Sequence, residues 1–121
     1  MTADRNLYGG AVETFVADYM RGMGMVILEQ NYTVGKMEVD IIGMEESTLV
    51  IVEVKARTHA VEMKEVTEVI SADKNTRMVR VADVYAQRCR FPFSDIRFDY
   101  AFVHSSDTGL ECTYVRDAFI P

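Results

Sequence analysis

The chain has 121 residues, 49% of them apolar and 26% charged, with a formal net charge of −6. This length carries one domain, residues 1–121, with a single real core. The negative charge argues against generic affinity for nucleic acid, because neutralising phosphates draws on Lys and Arg.

Residues 10–23 read as an amphipathic helix, with Val12, Phe15, Val16, Tyr19, Met20 and Met23 at helical spacing and the Gly22 and Gly24 pair ending it. Residues 25–28 form a short apolar strand, 31–35 a polar turn, and 37–43 a second strand. A turn over residues 44–47 leads into a third strand over 48–55. A loop over 57–63 precedes a helical pattern over 64–88, which the sequence allows to break at 71–73 because Ser and Asp favour caps. A fourth strand covers 97–103, a turn 105–109, and a last strand 110–115. The third strand is apolar on both faces, so both faces of the sheet need cover. The expected fold is α/β, a three-layer α/β/α sandwich around a central mixed sheet of about five strands.

The chain lacks an apolar run near the roughly 20 residues of a membrane span. Its N-terminus has no basic-then-apolar signal layout. Cys89 and Cys112 have neither metal-ligand spacing nor disulfide density. They read as free thiols in a reducing cytosol, so the expected location is cytoplasmic, without a membrane partner.

The chemistry concentrates in Val52-Glu53-Val54-Lys55 and in Asp40 one strand earlier. Glu53 and Lys55 are two apart and share a strand face on an otherwise apolar segment. Such charges are paired or bind something. With the turn at 44–47, Gly43 opposes Thr48, Asp40 opposes Ile51 and Glu38 opposes Glu53. Asp40, Glu53 and Lys55 then share one side, whereas a one-residue slip would separate the two acids. Glu13 points from the apolar half of the first helix toward the sheet, or is an ordinary first-turn acid. Three carboxylates together would repel one another unless a divalent cation, Mg²⁺ or Mn²⁺, relieved them. The ion would polarise a phosphate and lower the pKa of a bound water, and Lys55 would offset transition-state charge. The plainer reading of Glu53 and Lys55 is a salt bridge at a strand end. Residues 74–90 carry Lys74, Arg77, Arg80, Arg88 and Arg90 against Asp83, a net +4. That stretch is either a phosphate-contacting surface or a solvated helix face.

These residues resemble a known pattern. An Asp followed thirteen residues later by Glu-x-Lys looks like the core of the PD-(D/E)XK nuclease superfamily. The whole chain resembles the YraN-like family of inferred endonucleases (uncharacterised protein family 0102), which are similar to archaeal Holliday-junction resolvases. The resemblance runs through Gly10-Ala11-Val12-Glu13, Glu38-Val39-Asp40-Ile41-Ile42, Val52-Glu53-Val54-Lys55-Ala56-Arg57, Lys74, Arg97-Phe98-Asp99 and Asp117-Ala118-Phe119. It implies a restriction-endonuclease-like fold with Glu13, Asp40, Glu53 and Lys55 as the active-site set, the three acids holding metal. Met37 departs from the family's glycine before Glu38, and the acidic loop after the third strand lacks the usual glycine. None of the four site residues is lost.

Arg57, Lys74 and Arg77 are weaker candidates for DNA phosphate contacts. Arg97 and Asp99 share a strand face and are expected to form a structural ion pair. Glu38 reads as a solvated strand residue or a second acid near the metal. His59 and Glu62 lack a second histidine, so no zinc site is read. His104 is expected at the surface. Two functions are expected: a metal-dependent endonuclease acting on DNA, branched or otherwise structured, or a non-catalytic nucleic-acid- or protein-binding module that keeps the nuclease fold. Cutting branched DNA calls for two sites, so a homodimer accompanies the first.

Overall fold

The computed structural model describes residues 10–73 and 75–121. Among these, α1 (Ala11–Gly22) precedes a meander of β1 (Val26–Val34), β2 (Met37–Glu45) and β3 (Thr48–Arg57). Two helices, α2 (Met63–Ala72) and α3 (Thr76–Arg88), then cross to β4 (Asp95–Ser106) and β5 (Gly109–Val115). The sheet order is β1-β2-β3-β4-β5. Only the β3–β4 pairing is parallel, and it is the pairing that needs a long crossover.

The alternation of β3 explains its doubly apolar sequence. Val50 and Val52 pack with Val12, Val16, Ala17 and Met20 of α1. Leu49 and Ile51 pack with Val66 and Ile70 of α2 and Met78 and Val81 of α3. The result is the expected α/β/α sandwich around a five-stranded mixed sheet. No helix of the described residues is long and apolar enough to cross a membrane.

Two local expectations are corrected, and the helix break is located. The first strand runs nine residues, through the segment read as a polar turn, which shrinks to Gly35 and Lys36. Asn31 keeps its place in β1 by taking a left-handed conformation, φ 52°, which an Asn tolerates. The helical pattern over 64–88 divides into two helices at the break read over 71–73, where the Asp73 backbone is extended (ψ 142°). The β2–β3 turn is two residues, Glu46 and Ser47, so Glu45 rather than Gly43 opposes Thr48. That moves the register by two residues. Because the side-chain period is also two, the shift keeps the parity of the pairing, and Asp40 and Glu53 become the first residues beyond the ladder.

Gly43 is where α1 closes on the sheet. A Cβ there would lie 2.9 Å from the Met20 Cε and 3.2 Å from the Val26 carbonyl oxygen. Gly43→Ala is therefore expected to destabilise the fold by about 1–3 kcal/mol through overpacking. A drop in the urea midpoint at unchanged slope would register it, and an unaltered midpoint would show that Met20 swings aside.

Candidate active site

The site forms where β2 and β3 part. Their ladder runs from Glu45↔Thr48 to Ile41↔Val52, and Asp40 and Glu53 are the next residues on each strand. Beyond the last rung, the Val54 backbone N–H donates to the Asp40 carboxylate at 2.8 Å. The Asp40 side chain thus takes the place of a strand partner. The strand bends here: Val39 packs under α2 and α3, whereas Ile41, two residues on, packs under α1. In a regular strand those two would share a face. Asp40 and Glu53 are each only 8% exposed.

Glu53 and Lys55 project toward the α2–α3 side. The Lys55 ammonium lies 3.5 Å from Glu53 and 3.1 Å from Asp73. The Arg77 guanidinium, in the first turn of α3, lies 2.8 Å from the other Glu53 oxygen. Asp73 is fixed in turn. Its N–H closes α2 on the Val69 carbonyl, and the Tyr100 hydroxyl lies 2.9 Å from its carboxylate and 2.6 Å from Asn75 Oδ1. The single hydroxyl proton is shared between these two acceptors. Burial first, and then the Asp73 carboxylate, push the Tyr100 hydroxyl far above its usual range, so it remains a neutral donor.

Asp73, Asn75 and Tyr100 were not expected at the site. The signal in the sequence was the helix break, which reads as a cap but does not reveal that it aims Asp73 at Lys55. Tyr100 reads only as an apolar core position.

The remaining candidates lie elsewhere. Glu13 is half-buried in the first turn of α1, across the sheet from the helices that meet Glu53 and Lys55. Among the described residues, no three His, Cys, Asp or Glu side chains are grouped so as to hold a metal ion. The expected convergence of Asp40, Glu53 and Glu13 is therefore not present, because the helix carrying Glu13 covers the opposite face. Arg57 donates to the Ala56 carbonyl at 2.8 Å, pairs with Glu65 at 3.6 Å and lies over the Phe102 ring. Lys74 lies outside the described residues. Glu38 opposes Thr33 across the β1–β2 ladder. His59 pairs with Glu65 rather than Glu62, at 3.3 Å.

His104 is not a surface strand end. β4 continues to Ser106, and the His104 side chain, 12% exposed, pairs with Glu111 across the ladder at 3.6 Å. Arg97 and Asp99 form the expected pair. Two parallel hydrogen bonds of 2.9 Å join the guanidinium to the fully buried carboxylate.

A mixed sheet in this order, covered on both faces, with two buried acids and a lysine where its central strands part, defines an α/β/α sandwich with a charged site at the middle of its sheet. Comparison with known proteins gives the family. The profile of Uncharacterised protein family UPF0102 matches residues 12–103, and the chain belongs to this family. A UPF0102 protein of Dictyoglomus turgidum is 32% identical over 109 residues, covering 88% of this chain and 92% of the relative. A UPF0102 protein of Bacteroides thetaiotaomicron is 31% identical over 119 residues, covering 98% and 97%. Among solved structures, Pyrococcus furiosus SfsA in complex with Ca²⁺ is similar at a TM-score of 0.37 and 14% identity. That alignment covers 93% of this chain but 64% of SfsA, so the chain spans less than two thirds of that protein.

Proposed function

We propose that this protein is a metal-dependent endonuclease that hydrolyses phosphodiester bonds in DNA, with branched or otherwise structured DNA as its substrate. The observation that carries the reading is the pair of buried carboxylates, Asp40 and Glu53, each the first residue beyond the β2–β3 ladder, with Lys55 two residues on. Two carboxylates offer hard oxygen donors, which suit Mg²⁺ or Mn²⁺. Asp40 and Glu53 would hold the ion, and Glu13 would join them only if α1 brought it closer. The ion supplies Lewis-acid polarisation of the phosphate and a more acidic water. The protein's own part is positioning. Asp40 stays fixed by the Val54 N–H, and Lys55 stays beside the acids by pairing with Asp73. A fixed ammonium at that spot offsets charge developing on the phosphate. Arg57, Lys74 and Arg77 are the candidate phosphate contacts.

The test is cleavage of four-way and linear duplex DNA with Mg²⁺, Mn²⁺ or chelator. Metal-dependent products from the four-way junction, absent with chelator, are expected. Paired cuts in a junction require two sites, so a dimer should appear in sedimentation under the same conditions.

The second reading, a non-catalytic nucleic-acid- or protein-binding module, is favoured by one observation: Glu53 already has a cation, Arg77, at 2.8 Å. It predicts DNA binding that chelator leaves unchanged, without any cleavage product.

A further inference from the structure

We propose that Arg77 is an internal counter-cation of this site, which a divalent metal ion displaces from Glu53 and which then turns to a phosphate of the substrate. The inference rests on the reading of Asp40 and Glu53 as metal ligands. Three observations carry it.

The first is an asymmetry of burial within the pair. The Glu53 side chain is 11% exposed and set in the sheet, whereas the Arg77 side chain is 42% exposed. When a stronger cation arrives, Arg77 is the partner able to leave. An ion pair with so exposed a member contributes little by itself, so the exchange costs little.

The second concerns the lysine. Lys55 is nearer to Asp73, at 3.1 Å, than to Glu53, at 3.5 Å. Asp73 is itself held by the Tyr100 hydroxyl at 2.9 Å. Commitment of Glu53 to a metal therefore leaves Lys55 with its closer partner. Of the two cations facing Glu53, one is anchored and the other is released.

The third is the place of Arg77 in α3. It is the second residue of that helix, where the unpaired N–H groups make the local potential positive and disfavour a cation. An arginine there gains from an anion beside it. With Glu53 taken, a phosphate is the anion that a planar guanidinium and a helix N-terminus both suit.

The test is Mn²⁺ binding to the full chain, followed by electron paramagnetic resonance and calorimetry. Arg77→Gln is expected to bind Mn²⁺ roughly tenfold more tightly than the wild type, the effect of removing a competing cation at contact distance. Arg77→Lys, which keeps the charge, should stay close to wild type. Arg80→Gln, the same charge change at an exposed position on the same helix, should leave affinity unaltered. In a Lys55→Ala background, Mn²⁺ should strengthen DNA binding, and Arg77→Gln should remove that gain. Equal Mn²⁺ affinity in the wild type and Arg77→Gln would overturn the exchange while leaving the metal site standing. An equal gain in Arg80→Gln would reduce it to long-range charge and overturn it too. If neither protein bound Mn²⁺, the metal-site reading and this inference would both fall.

Discussion

Asp40→Asn and Lys55→Ala should each abolish metal-dependent DNA cleavage, for different reasons that binding measurements separate. In Asp40→Asn the amide oxygen still accepts the Val54 N–H, a contact of 2.8 Å in the native protein, so the strands should keep their register. What is lost is an anionic oxygen next to Glu53. Mn²⁺ affinity should fall at least about a hundredfold, the scale on which even outer-sphere partners of a metal act. In Lys55→Ala both acids remain, so Mn²⁺ binding should persist. Cleavage should nevertheless fall on the order of 10²–10³-fold, the effect of removing one preorganised charge donor from a transition state. Cleavage by either variant at the native rate would end the proposed mechanism. Loss of cleavage in Lys55→Ala together with loss of Mn²⁺ binding would point to a collapsed site instead. Thermal unfolding of both variants distinguishes that case.

The legibility of this site in the sequence was uneven for physical reasons. Glu53 and Lys55 stood out because a β-strand repeats every two residues, and two charges at that spacing on an apolar strand share a face wherever the strand begins. Asp40 was reachable only through a hairpin register. The assumed turn over residues 44–47 was too long, since Glu46 adopts φ 53° and lets two residues make the reversal. The error was an even number of residues, which keeps parity, but Val39 and Ile41 pack on opposite faces, so counting by two stops being a guide at Asp40 itself. Asp73 and Tyr100 were out of reach by any period. Their contact joins a helix end to a strand 27 positions away, and such a pairing is a property of packing. Glu13 was less legible for the opposite reason. Helical spacing turned it toward the sheet, but spacing does not say which face of the sheet the helix covers.

The second large effect concerns stability. Asp99 is fully buried and receives, besides Arg97, the Tyr114 hydroxyl at 2.7 Å and the Asp117 N–H at 2.9 Å. Arg97 also reaches Glu45 at 2.8 Å, and Arg116 forks onto both Glu45 oxygens. The network clasps the start of β4 and the end of β5 to the β2–β3 turn. Arg97→Met should cost about 3–5 kcal/mol, because it strands a buried carboxylate without its counter-ion. Arg97→Met with Asp99→Leu should recover part of that loss in urea unfolding, since no charge is then left buried. A single variant as stable as the wild type would mean that Tyr114 and the Asp117 N–H suffice for Asp99. Acid adds a second readout on the same network. Hydrogen bonds from Arg116, and then from Arg97, hold the Glu45 carboxyl at about 2, below its ordinary 4.5. The unfolded chain therefore takes up that proton first. The stabilisation from Glu45 is complete above about pH 4.5 and is lost as the pH falls toward 2. Glu45→Gln should flatten the decline of stability across that window and leave the curve above it parallel to that of the wild type. A decline of unchanged steepness would show that Glu45 does not set the acid sensitivity.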